Sequence, residues 1–184
     1  GYSSAASDVY KRQEVEVVGV TPENIRLLLH KLRENGCKIH TKNDKIRIEN
    51  RGRLKCNRRI ETMPFPGFPT DLQAQATALN ASCSGCALIV ENLFETRFKY
   101  VPELQKMGAD IEVKGRTAFV RGVGRLHGAS VTAGDLRGGA ALVIAALGAE
   151  GISEVLDLSH IDRGYADFRT KLKKLGASIR RVHI

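Results

Sequence analysis

From Glu14 onward the chain alternates apolar and charged positions in EVEVVGV, the period of a half-buried strand. A longer pattern then repeats. Leu32 followed by Gly36-Cys37 and Ile39 returns as Leu104, Gly108-Ala109 and Ile111, and again as Leu172, Gly176-Ala177 and Ile179, at a period of about seventy residues. Each copy predicts an amphipathic helix stopped by a glycine in the left-handed C-terminal conformation and followed at once by a strand. After the first two copies, KIHTKNDKIRIEN and DIEVKGRTAFVRGV read as strand pairs that turn at Asn43-Asp44 and Lys114-Gly115.

A second element lies between these copies. Asp71-Leu72 opens the Ala-rich helix DLQAQATALNA, and Asp135-Leu136 opens DLRGGAALVIAALGAEG, which is apolar on all sides and therefore predicted to be buried all round. The order per unit is strand, buried helix, strand, amphipathic helix, strand, strand. Two such units fit between about Arg53 and the end, and the segment before them supplies the latter half of a third. The expectation is an α+β fold, an inside-out prism of repeated β-α-β-α-β-β units with helices buried and sheets outside. Residues 1–13, GYSSAASDVYKRQ, show no period and read as a leader foreign to the fold, a translated junction or a flexible tail. Residues 14–184 then form one domain whose first unit is cut at Glu14.

Composition narrows the function. The formal net charge of +9 favours anionic partners, yet aromatics are 5% with no Trp, so the stacking platforms of nucleic-acid modules are missing and small anionic ligands gain ground. The longest nearly unbroken apolar run, Gly138 to Leu147, is half of the ~20 residues a membrane span requires. No membrane partner is expected. Cys37, Cys56, Cys83 and Cys86 follow no hydrophobic signal segment, so free thiols in a cytoplasmic setting are the default. Cys83-Ser-Gly-Cys86 has no second pair for zinc and reads as two small packing residues, and the five histidines show no ligand spacing. No metal or cofactor is expected.

The charged positions that could carry chemistry align across the units. Asp71 corresponds to Asp135 at the helix starts, Arg97 in LFETRF to Arg163 in HIDRGY, and Arg137 follows Asp135 by two residues. Two readings of the aspartates stand: plain N-caps, or carboxylates of a site. Two stand for the arginines as well: salt bridges that stitch the units together, or guanidinium forks that hold phosphate or carboxylate beside a helix N-terminus.

TMPFPGFPTDLQAQATALNA, LFETRFKYVPELQKMGADIEV, VTAGDLRGGAALVIAALGAEG and SHIDRGYADFRTKLKKLGA resemble, in order, segments of the UDP-N-acetylglucosamine 1-carboxyvinyltransferases, the enolpyruvyl transferases that open peptidoglycan precursor synthesis. The resemblance runs from about Glu14 to Ile184 and is to the C-terminal part of a longer enzyme with its active site between two domains. It implies that phosphoenolpyruvate and UDP-N-acetylglucosamine are the substrates. Asp71 matches the carboxylate that contacts the sugar and accepts the proton of its 3-hydroxyl. Leu93 matches a position whose backbone contacts the UDP-sugar. Asp135 and Arg137 match residues that close over the reacting centre, Arg163 matches an arginine that grips phosphoenolpyruvate, and Arg97 a further arginine of the cleft. Thr96 and Gly138 stand where the family commonly has Asn and Ala. The reactive loop and an N-terminal lysine belong to the other domain, so the chain alone is expected to be inactive. The alternatives are the related transferase of the shikimate pathway and a non-catalytic module that binds polyanions.

Overall fold

The computed structural model describes residues 13–50 and 52–182. The leader expected at 1–13 lies outside these residues except for Gln13, which opens the first strand. Strand β1 (Gln13–Val18), helix α1 (Arg26–Glu34) and strands β2 (Lys38–Lys42) and β3 (Lys45–Asn50) make up the first unit. The second unit runs through β4 (Arg59–Glu61), α2 (Gln73–Ala81), β5 (Ser84–Val90), α3 (Val101–Lys106), β6 (Asp110–Lys114) and β7 (Thr117–Val123), in the order expected. The third follows with β8 (Ser130–Thr132), α4 (Leu136–Gly148), β9 (Glu154–Leu156), α5 (Ser159–Gly164) and α6 (Phe168–Lys174).

The sheets repeat the same plan. In the first, the order is β1-β3-β2, all antiparallel; in the second it is β4-β5-β7-β6, with β4 parallel to β5 and the rest antiparallel. β1 thus occupies the place of β5, each paired with the last strand of its unit. The third unit shows the parallel pair β8-β9, the counterpart of β4-β5. Gly36, Gly108 and Gly176 all have positive φ, at 105°, 86° and 91°, so each helix stops as the sequence pattern requires. The hairpin turns carry Asn43 and Gly115 in the same left-handed region. The third copy differs in one respect. Among the described residues, 177–182 form no ladder, whereas β2 and β6 are each held by the strand that follows them.

Helices α2 and α4 pack against each other inside the molecule, and α2 also lies on β5 and β7. Their contact is made close by small residues, Ala74 and Ala78 on α2 and Ala141 and Ala145 on α4, all buried. Ile89, Ile111 and Val120 from the second sheet, with Leu104 and Met107 from the end of α3, complete that core. Helices lie within and sheets outside, because a helix without a polar face gains most when apolar neighbours surround it. Polar side chains join the units: Asn80 Oδ1 accepts from the amide of Asn57 at 2.7 Å, and Asn57 Nδ2 donates to the carbonyl of Lys31 at 2.8 Å.

Two expectations need correction. α4 is not buried all round: Ile144 and Leu147 are each 40% exposed. They stand three residues apart on one helix face, while α2, α3, α5 and β9 cover the other sides. Nor do the cysteines of the C-x-x-C pattern share a role. Cys83 is buried and its thiol is 3.1 Å from the carbonyl of Leu79, whereas Cys86, on an outer strand, is exposed. Among the described residues no helix is long and apolar enough to cross a membrane.

Candidate functional site

Where α2 and α4 begin, the second and third units meet at a cavity of about 300 Å³, lined by Thr70, Gln73, Phe94, Arg97, Lys99, Tyr100, Asp135, Arg137 and Gly138, with Ala74 and Thr96. Three cations reach it and one carboxylate, so its field is positive and suits an anionic guest. Three segments build it: the turn that enters α2, the loop from β5 to α3, and the start of α4.

Asp71 sits in a single 3-10 turn, Thr70–Leu72, and not at a capping position; neither that turn nor α2 has a side-chain cap. Its side chain is 63% exposed and forms an ion pair with Nε of Arg137. A carboxylate from one unit and a guanidinium from the next are thereby brought together across the mouth of the cavity. Asp135 does cap α4: its Oδ1 accepts from the amides of Arg137 at 2.9 Å and Gly138 at 2.8 Å. The two aspartates that look equivalent in the sequence therefore serve differently. The residue after the capped turn is tightly placed, since a Cβ on Gly138 would lie 2.9 Å from Oδ2 of Asp135 and 2.9 Å from Cβ of Tyr100.

Arg97 lies over the ring of Phe94, with Cζ 4.1 Å from the centroid, a cation–π contact that holds the guanidinium against the loop. Its Nε is buried and has no hydrogen-bond partner among the described residues. Leu93 is 38% exposed; its amide donates to Glu91 at 2.9 Å, and its neighbour Phe94 forms the cavity wall. Arg163 does not reach the cavity. Its Nε donates back to the carbonyl of Ser159 at 3.2 Å on its own helix, although α5 is pressed on the start of α4, where a Cβ on Gly164 would meet Leu136 at 2.3 Å. Of the six residues read from the sequence, Arg97, Asp135 and Arg137 line the cavity, Asp71 is paired at its edge, Leu93 adjoins it and Arg163 stands apart.

The floor was not read from the sequence. Tyr100 is buried, with its hydroxyl 2.8 Å from Oγ1 of Thr77 and 3.1 Å from Oε1 of Gln73. Burial pushes its phenol well above the ordinary value, against the effect of those two hydrogen bonds. Lys99, exposed beside it, supplies the third cation. The residue signal for these was weak: a lysine between aromatic residues and a glutamine in an Ala-rich helix both have bland readings.

Residues 1–172 match the EPSP synthase family, 3-phosphoshikimate 1-carboxyvinyltransferase. The chain is 50% identical over 169 residues to UDP-N-acetylglucosamine 1-carboxyvinyltransferase 3 of Caldanaerobacter subterraneus subsp. tengcongensis, covering 92% of this chain and 40% of that protein. It is 48% identical over 171 residues to the UDP-N-acetylglucosamine 1-carboxyvinyltransferase of Desulfofundulus thermocisternus, covering 93% of this chain and 70% of that one. Against most of the curated relatives it spans about two-fifths of their length, 40% and 41% in two further cases. Among solved structures, the enolpyruvyl transferase NikO from Streptomyces tendae superposes with a TM-score of 0.75 at 29% identity, over 91% of this chain and 40% of that one. EPSP synthase from Acinetobacter baumannii, at a TM-score of 0.61 and 16% identity over 85% of this chain and 40% of that one, shares the fold.

Proposed function

The chain belongs to the EPSP synthase family and, within it, to the UDP-N-acetylglucosamine 1-carboxyvinyltransferases, and from that premise we propose that it forms one wall of an active site that transfers enolpyruvyl from phosphoenolpyruvate to the 3-hydroxyl of UDP-N-acetylglucosamine. The rest of the site comes from a further domain, so the chain alone does not turn over. The relatives at 47–50% identity carry the UDP-sugar name, which favours this substrate over phosphoshikimate. In a bacterium the reaction belongs in the cytoplasm, at the first committed step of peptidoglycan synthesis.

The observation that carries the reading is the meeting of Asp71 with Arg137 beside a cavity that Arg97 and Lys99 make positive. Phosphoenolpyruvate bears a phosphate and a carboxylate on three carbons, and clustered cations stabilise both its binding and the charge that develops as phosphate leaves. Asp71, exposed toward the open side, takes the proton of the sugar hydroxyl as that oxygen bonds to the central carbon of phosphoenolpyruvate and the π pair of the double bond takes up a proton at the methylene carbon; the methyl so formed then gives a proton back as the bond from the central carbon to the phosphate oxygen breaks, which restores the double bond and releases phosphate. Asp135 keeps the start of α4 in register, so that Arg137 faces Asp71. Arg163, on α5, joins the phosphate and carboxylate grip by unfolding its side chain from Ser159.

The test is phosphate release from phosphoenolpyruvate and UDP-N-acetylglucosamine, with the chain joined to the missing part of a relative. Asp71→Asn should lower kcat by about 10²–10⁴-fold, the usual range for a lost general base, with little change in melting temperature. Arg163→Lys should chiefly raise the KM for phosphoenolpyruvate, because the ammonium lacks the two-pronged grip. An Asp71→Asn enzyme of nearly full activity would remove the proton-accepting role, and a joined wild-type protein without turnover would remove the functional reading.

A further inference from the structure

Glu91 directly follows β5 and is completely buried, at 0% exposure. A carboxylate is left in such a place only when its oxygens are well supplied with donors, and here each oxygen is supplied from a different part of the site. Oε1 accepts from the hydroxyl of Thr62 at 2.8 Å and from the amides of Leu93 at 2.9 Å and Phe94 at 3.2 Å. Oε2 accepts from the hydroxyl of Thr70 at 2.9 Å. Thr70 immediately precedes Asp71, and Phe94 carries Arg97 on its ring.

The group itself has little freedom to move. Its amide donates to the carbonyl of Arg116 at 2.8 Å, at the β6–β7 turn, and the amide of the next residue, Asn92, donates to Oγ1 of Thr62 at 2.9 Å. Asn92 Nδ2 adds bonds to Oε1 of Glu61 at 2.9 Å and to the carbonyl of Thr62 at 3.2 Å. One carboxylate, pinned at the end of a core strand, therefore fixes the distance between the turn that presents Asp71 and the loop that presents Leu93 and Arg97.

We infer that Glu91 is a positioning residue of the transferase, holding the proton-accepting segment and the sugar-contacting loop in one geometry through Thr70 and the amides of Leu93 and Phe94. The inference rests on the functional reading above. A purely structural carboxylate would serve stability alone; a positioning one must also set how the two segments stand relative to each other. Its loss should therefore appear in turnover, with the substrate still bound.

Thr70→Val keeps the shape and removes only the donor to Oε2. In the joined enzyme it should lower kcat about tenfold while the KM for UDP-N-acetylglucosamine stays within about twofold, as for a contact that matters in the transition state. Thr70→Ser, which restores the hydroxyl, should recover most of that loss. Glu91→Gln should act in the same direction, and the double variant should cost no more than about twofold beyond the worse single one, because both act on the same link. Effects that multiply, or a Glu91→Gln enzyme altered only in melting temperature, would overturn the inference. The isolated chain supplies a readout independent of turnover. In its amide spectrum, Glu91→Gln should shift the resonances of Leu93, Phe94 and Asp71 together; an unmoved Asp71 resonance overturns the link even if the joined wild-type protein is inactive and the functional reading falls.

Discussion

Cys83 and Tyr100 are acids held neutral by burial. Desolvation pushes the Cys83 thiol up from an ordinary 9.0 to about 12, and burial raises the Tyr100 phenol from an ordinary 10.0. Each keeps in the fold a proton that the unfolded chain releases, so their contribution is fully present below pH 9 and is lost as the pH climbs through the alkaline range. Stability should therefore fall above pH 9. Denaturant titrations of Cys83→Ala and Tyr100→Phe, each compared with the parent between pH 8 and 11, should show a flatter alkaline limb. Alkylation offers a second view at constant pH: exposed Cys86 should label in the native state, and Cys83 only as the protein unfolds. Equal labelling rates would contradict the burial on which the argument rests.

The three glycines that stop the amphipathic helices are equivalent in sequence and unequal in surroundings. All have positive φ, so a side chain at any of them meets backbone strain of about 1–2 kcal/mol. Among the described residues, a Cβ at Gly36 or Gly176 finds nothing within 4 Å, whereas at Gly108 it would lie 3.1 Å from Cδ2 of His127. Gly108→Ala should be the most destabilising of the three, ahead of Gly36→Ala and Gly176→Ala, in the same melting experiment. If all three lose the same stability, the contact with His127 adjusts freely and strain alone decides the cost. Gly36 and Gly108 each precede a strand that pairs with its successor, which is what makes one helix-stop signal yield a hairpin in the first two units.

At the scale of the whole molecule, the contact of α2 with α4 determines where the site lies, because it brings the Asp71 turn beside the start of α4. Small residues allow that approach. Ala78→Leu should overpack it and destabilise the fold by about 1–3 kcal/mol, with a matching loss of turnover in the joined enzyme as Asp71 and Arg137 are forced apart. Ile144→Ser, on the open face of the same helix, should leave stability within about 0.5 kcal/mol in the same melting experiment, as surface changes usually do. A comparable loss at both positions would mean that the outer face of α4 is as closely packed as the inner one.

The order of elements was legible in the sequence because it rests on local physics: alternation for strands, glycines that accept positive φ, and an apolar run that has to be buried. The repeat let one unit interpret another, down to β1 in the place of β5. What each aspartate does was decided by tertiary contacts. Asp71 and Asp135 precede similar helices, yet a 3-10 turn moves Asp71 off the cap and toward Arg137, sixty-six positions away, while Asp135 stays with its own helix amides. Glu91 was silent for the same reason: a glutamate after an apolar strand looks solvated until Thr62, Thr70 and the amides of the following loop close over it. Local pattern determines which segments become helix or strand. Which polar groups are buried together depends on partners far along the chain, and those the fold alone selects.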